Sequence, residues 1–288
     1  MTPNRNIQRP SQPPTRTPHG VLKESIQEYA RGIAGGMMFS LPLLYTMEMW
    51  WSGFILHPLR LALLMVCTFV LLLGYNRFAG IRHDHTWTEV VIDSFEEMGI
   101  GLVLSATMLF LLNRINPQDA PAEAICKIVM EGMLVAIGVS VGTAQLGMDG
   151  CPEEDTPRDG WFAQLTLGVC GAVLFAANIG VTEEVQVLAM ESTPWHQLGL
   201  MLASFAIGGM VLYFSEFQGS QRFARRESNL DIATGSVLNY SISFLVSAAI
   251  LWFFGRLDDM PPAFCVSQTI VLAFPAALGA SAGRLLVQ

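Results

Sequence analysis

The chain has 288 residues, of which 52% are apolar and 14% charged, with a formal net charge of −8. Soluble domains carry about 25% charged residues, so this is not the composition of one. The acidic balance, with no basic run longer than Arg225-Arg226, argues against nucleic acid as a partner.

The apolar residues fall into blocks of about 18 or more with few charges, the length needed to cross roughly 30 Å of hydrocarbon. The sequence therefore predicts an all-α polytopic membrane protein of about eight transmembrane helices, with the lipid bilayer as its first partner. Residues 1–30, with Pro3, Pro10, Pro13, Pro14 and Pro18 among Arg and Thr, read as a disordered cytoplasmic tail without the apolar core of a signal peptide. A short amphipathic lead-in is expected over Glu24 to Arg31. Spans are expected at 31–55, 59–79, 92–115 and 124–147, then at 162–190, 196–217, 232–256 and 264–286. Between the second and third, His83, Asp84 and His85 read as a polar loop, lacking further ligands at zinc-like spacing. Residues 148–161, with Glu153, Glu154 and Asp155, read as an acidic cytoplasmic linker. The fourth and eighth spans are rich in Gly, Ala and Ser, which let helix backbones approach closely, so both are expected to be buried. Gly138, Ser140 and Gly142, with Gly279, Ser281 and Gly283, mark the expected contacts. Cys67, Cys126, Cys170 and Cys265 lie in apolar blocks and Cys151 in a polar loop, which predicts no disulfide framework.

Orientation follows from the basic residues. With the N-terminus inside, Arg5, Arg9, Arg16, Lys23, Arg31, Arg77, Arg82, Arg158, Arg222, Arg225, Arg226 and Arg284 are cytoplasmic, leaving Arg60, Arg114 and Arg256 outside. Both termini then come out cytoplasmic. Trp50, Trp51, Trp195 and Trp252 fall near the outer interface, and Trp87 and Trp161 near the inner one, depths that suit amphipathic rings.

An internal repeat is the most informative feature. Gly32, Gly35, Phe39, Thr46, Glu48, Pro58, Leu64, Met65 and Phe69 align without a gap to Gly168, Gly171, Phe175, Thr182, Glu184, Pro194, Leu200, Met201 and Phe205. With small shifts the match continues through Gly74 and Gly209, Glu89 and Asp231, Ser94 and Ser236, Arg114 and Arg256, and the Gly-Ser-Gly stripes. Residues 31–147 and 162–288 thus form two four-helix repeats. An even number of spans gives both the same orientation, which implies a pseudo-twofold axis along the membrane normal and a site between the halves.

Ionisable groups inside spans cost at least about 2.5 kcal/mol at the centre, so they mark candidate sites. Thr46 and Glu48 recur as Thr182 and Glu184, with Glu183 beside them and Glu131 in the fourth span. Thr46 and Glu48 point about 200° apart on a regular helix. A local unwinding at Pro42, and at Asn178 or Gly180 in the second half, would turn both toward one site. Such a site of carboxylates and hydroxyls suits a hard divalent cation or a proton, with Glu48 and Glu184 as the metal ligands. The other reading places Glu48 and Glu184 at the outer interface, where a carboxylate costs little. Asp93, Glu96 and Glu97, with Glu89, form either an electronegative cytoplasmic vestibule or a solvated first helical turn. Lys127 and Glu131, four apart, are expected to pair along one helix. No cofactor motif and no His-Glu-x-x-His, Gly-x-Ser-x-Gly or phosphate-loop signature is present, so an enzyme is not expected.

The strings Gly35-Gly36, Leu41-Pro42-Leu43-Leu44-Tyr45-Thr46-Met47-Glu48-Met49-Trp50-Trp51 and Val181-Thr182-Glu183-Glu184 resemble a family of uncharacterised bacterial integral membrane proteins. The resemblance implies a multi-pass protein of the bacterial inner membrane and no particular activity. The residues favour a transporter or channel for a small cation. A membrane scaffold that binds lipid or a partner through its interface acids is the alternative, and the sequence sets no oligomeric state.

Overall fold

The computed structural model describes residues 18–79, 86–116, 118, 120–146, 161–219 and 229–285. These contain helices and no strand. The first half holds α1 (Pro18–Leu44), α2 (Met47–Ile55), α3 (Pro58–Ala79), α4 (Trp87–Leu111) and α5 (Pro121–Leu146). The second holds α6 (Trp161–Gly180), α7 (Glu184–Glu191), α8 (Pro194–Gly219), α9 (Asn229–Phe253) and α10 (Pro262–Leu285). The acidic linker, the His83-Asp84-His85 cluster and Cys151 lie outside the described residues. Helix α1 begins at Pro18, so residues 18–30, expected to belong to the tail, extend the lead-in helix.

Among the described residues, six helices are long and apolar enough to cross a membrane: 58–78, 87–111, 121–144, 162–180, 234–253 and 262–283. The first and fifth expected spans are each divided in two. Pro42, which has no N–H to give the Met38 carbonyl, lies in the last turn of α1, and the helix ends two residues later at Leu44. The hydroxyl of Thr46 then donates to the Pro42 carbonyl (2.7 Å), and the Thr46 N–H to Leu43 (2.9 Å). Thr46 itself is extended, and α2 restarts one residue later. The second half breaks without a proline. There α6 ends at Gly180, and Thr182 returns both its N–H (3.0 Å) and its hydroxyl (2.7 Å) to the Ile179 carbonyl. The unwinding expected at these two places is present.

Helices α5 and α10 are central, as their small residues predict. The apolar stretch of α5 is 72% buried and that of α10 61%, against 22% for α3. Glycine sets this up. A Cβ on Gly35 would lie 2.2 Å from the Gly142 Cα, and one on Gly171 would lie 2.1 Å from the Gly279 carbonyl oxygen. Backbone thus packs on backbone where α1 crosses α5 and where α6 crosses α10. Helix α3, by contrast, exposes Leu59, Leu63, Val66 and Val70. Side chains of that kind face acyl chains in a bilayer.

The C-termini of α4 and α9 close in the same way. Asn113 (φ 58°) and Gly255 (φ 72°) take the left-handed conformation. The following N–H groups bond back, Arg114 to the Leu109 carbonyl (2.8 Å) and Arg256 to Leu251 (2.9 Å). This arrangement satisfies carbonyls that the helix ends would otherwise leave open. Lys127 of α5 donates to the Arg114 carbonyl (3.2 Å) and Gln268 of α10 to the Arg256 carbonyl (3.4 Å).

Apolar side chains fill the seam between the two halves. Toward the C-terminal ends of α3 and α5, Tyr75, Ile137 and Val141 pack against Leu167, Cys170 and Leu174. Toward the broken helices, Leu43, Met49, Met130 and Leu134 pack against Ala177, Val181 and Phe253.

The two glycine crossings generate a direct test. Gly35→Val and Gly171→Val should each lower the melting temperature of the detergent-purified protein, the cost being about 1–3 kcal/mol of overpacking or more. Gly99→Ala should be silent or slightly stabilising, since nothing lies within 4 Å of a Cβ there.

Candidate cation site at the broken helix

Two helix breaks carry the Thr-x-Glu repeats. At the first, Thr46 precedes α2 and Glu48, half-buried, sits in its first turn. At the second, Thr182 and the exposed Glu183 precede α7, and Glu184, also exposed, opens it. Helix α2 packs on α5, whereas α7 packs on α10. The apolar cluster holding Met49 and Val181 fills the seam between the halves on this side of the bundle. The carboxylates therefore belong to different helix pairs. Among the described residues, no group of three or more His, Cys, Asp and Glu side chains is placed to hold a metal ion.

Glu131 changes the picture of the first break. It is fully buried on α5, and neither carboxylate oxygen has a hydrogen-bond partner. Met130 and Leu134 of α5 pack with Leu43 and Met49. Ile128 packs with Leu44 and Trp50. At about 100° per residue, Glu131 points between these two faces. Leu43 and Leu44 end α1, while Met49 and Trp50 lie in the first turns of α2, so Glu131 is aimed at the break itself. The indole N–H of Trp50 is also buried there without a partner. The expected pairing with Lys127 is absent. Lys127 turns the other way, to Glu123 (2.6 Å) and the Arg114 carbonyl, and also lies over the Phe54 ring. The N-terminal end of α5 offers those partners, whereas Glu131 one turn further along is hemmed in by the Leu43 and Leu44 clusters.

The second break has a different occupant. The guanidinium of Arg256 donates to the Val181 carbonyl within the unwound turn. Its charge also acts on Glu184, whose carboxyl is held below the usual carboxylate range. The largest cause is the Thr182 hydroxyl, then the backbone N–H of Glu184 itself, with Arg256 adding a smaller part against slight desolvation. The Thr182 hydroxyl has one proton, shared between Glu184 and the Ile179 carbonyl. Where α5 presents Glu131, α10 presents Leu272, whose methyls lie 3.0 and 3.8 Å from the position of a Cβ on Gly180. The arginine that ends α4, Arg114, lies instead over the Trp50 ring at 4.1 Å.

Of the acids opening α4, Glu97 lies deepest and enters a polar network that joins α3, α4 and α5. The Asn76 amide donates to Glu97 (2.8 Å) and to Ser94 (3.1 Å), and Ser140 donates to the Asn76 oxygen (3.0 Å). Glu96 is exposed and accepts from the Tyr29 hydroxyl, Asp93 is half-buried, and Glu89 accepts the Thr86 N–H (2.8 Å) at the helix start. Sequence reasoning passed over Asn76 and Arg256. An amide inside an apolar span signalled the first, and the pairing of Arg256 with Arg114 in the repeat signalled the second.

A family model described as "Putative integral membrane protein (DUF2391)" matches residues 28–287. The chain belongs to that family. No curated protein and no solved structure matches it. Membership makes the bilayer the solvent for the six long apolar helices, and it raises the significance of Glu131. In a protein of this class an ionisable group inside a span is costly, and Glu131 is buried with neither oxygen hydrogen-bonded.

Two measurements follow from this geometry. Glu131→Leu should fold and melt higher than wild type, because removing an unsatisfied buried group returns about 1–3 kcal/mol. The folding contribution of Glu184 should depend on pH in a defined direction. A carboxyl whose folded pKa is depressed stabilises above its unfolded pKa and loses that contribution as pH falls through the folded value. The melting-temperature advantage of wild type over Glu184→Gln should therefore be full at pH 7 and fade below about pH 4. In Thr182→Val that advantage should be smaller at neutral pH.

Proposed function

We propose that this chain is a secondary transporter or channel for a small cation, a divalent metal ion or a proton, and not an enzyme. The observation that carries the reading is Glu131, fully buried and unpartnered, aimed at the break between α1 and α2. Leaving a carboxylate uncompensated inside a bilayer is costly, so a proton or a metal ion must accompany it. The break supplies what a hard cation needs: main-chain oxygens no longer used by a continuous helix, the Thr46 hydroxyl and the Glu48 carboxylate. One carboxyl that holds either a proton or a metal ion, but not both, would couple their movements in opposite directions.

In this reading the halves are parallel repeats with both termini cytoplasmic, in the bacterial inner membrane. The matching helix breaks, glycine crossings and left-handed helix ends support the repeat. Glu48 and Glu184, with Thr46, Thr182 and Glu183, line the outer approaches to the two breaks, and Glu97 with Glu96 and Asp93 faces the cytoplasmic side.

The test is flux into proteoliposomes, read with dyes for calcium, manganese and protons. Wild type should carry at least one of these ions, and Glu131→Gln should fall to the level of empty liposomes. Glu48→Gln and Glu184→Gln should slow transport without abolishing it. Silence of the folded wild-type protein toward all three ions would reject transport in favour of a membrane scaffold.

A further inference from the structure

We infer that the two broken helices have diverged into one exchangeable cation site and one permanently filled copy, in which the Arg256 guanidinium stands where the ion would bind. The inference rests on reading Glu131 as the central ligand of the first site.

The comparison is internal to the chain. Each break carries Thr-x-Glu, and each long helix preceding it ends within a few residues of the same depth on its central partner. At the second break a fixed positive charge is already present: Arg256 donates to the Val181 carbonyl and acts on Glu184. A backbone carbonyl bonded to one positive group, with a carboxylate within electrostatic reach of it, is an environment a bound cation would also find favourable. The side chain on α10 at that level is Leu272, which closes the space against Gly180 with methyl groups.

The first break lacks that fixed charge. Arg114, which ends α4 as Arg256 ends α9, lies over the Trp50 ring. Lys127 is bonded to Glu123 and to the Arg114 carbonyl. Among the described residues neither cation is hydrogen-bonded or ion-paired to Glu48 or Glu131. Instead α5 presents Glu131, fully buried with both oxygens unpartnered. One break thus holds a tethered cation and an apolar plug, and the other holds acids with no counter-charge. The same backbone frame tolerates Leu272, so packing alone does not require a carboxyl at Glu131.

The class of ligand is a small hard cation, and its number is one per chain. The test is equilibrium binding of manganese(II) to the purified full-length protein, counted by electron paramagnetic resonance, alongside proton uptake under the same conditions. Wild type should bind one manganese ion or release one cation-coupled proton, and Glu131→Gln none. Arg256→Gln/Leu272→Glu, which empties the second break and restores its acid, should gain a second site. Adding Glu131→Gln to that pair should return the count to one.

A second measurement guards against misfolding. Arg256→Gln alone should melt lower than wild type, with manganese raising it toward the wild-type value, and Arg256→Lys should need no manganese. Two sites in wild type, or a folded Arg256→Gln/Leu272→Glu that still binds one with no manganese rescue of Arg256→Gln, would overturn the inference while leaving Glu131 as a cation site. Neither manganese binding nor proton exchange at Glu131 in wild type would overturn the cation reading and this inference with it.

Discussion

Backbone-to-backbone packing at two glycine crossings is the contact on which the rest of the molecule depends. In a bilayer the hydrophobic effect gives helices little reason to associate, so close packing and polar contacts must supply it. Gly35 against Gly142, and Gly171 against Gly279, bring α5 and α10 to the centres of their halves. Once α5 is central, side chains projecting from its buried stretch, residues 130–142, reach protein on every side. Glu131 is buried for that reason, since the same residue on the largely exposed α3 would meet lipid or snorkel toward the interface.

The broken helices meet a second demand of the membrane. Unwound backbone is tolerated at membrane depth only where its polar groups are satisfied inside the protein. Threonine serves this need at both breaks by returning its hydroxyl to a carbonyl of the helix just ended. Beyond that the solutions part. The second break adds an arginine and an apolar plug, while the first adds two acids. Among the described residues a fixed positive charge reaches the second break, at the Val181 carbonyl, and none is bonded to the buried carboxylate at the first, so the two uses of one motif differ in charge balance.

The apolar seam between the halves has a consequence for where such a site can lie. The sequence repeat pointed to a site between the halves, and there Met49, Val181 and their neighbours fill that side of the bundle with apolar side chains. The buried polar groups gather instead inside the halves, around α5 and α10. Glu97 is held by Asn76 between α3, α4 and α5, next to the apolar cluster of Tyr75 and Cys170 that packs the seam.

The sequence by itself determined the membrane class, the burial of the fourth and eighth spans and the duplicated Thr-x-Glu, and it offered Pro42 and Asn178 or Gly180 as places where a span could unwind, while expecting both spans to run through. These depend on local or periodic properties: apolar length, small-residue stripes, a proline, a repeat. It also singled out Glu131, yet paired it with Lys127 because spacing along one helix was the only distance available. Only the tertiary structure decided the partners. Lys127 has Glu123 on its own helix and a carbonyl at the end of α4, Arg256 reaches the unwound turn at Val181, and Asn76 joins Glu97 to Ser140. Apart from the pair of Lys127 and Glu123 along one helix, these choices depend on which faces of separate helices meet, and that is set by the glycine crossings, far along the chain from the groups they bring together.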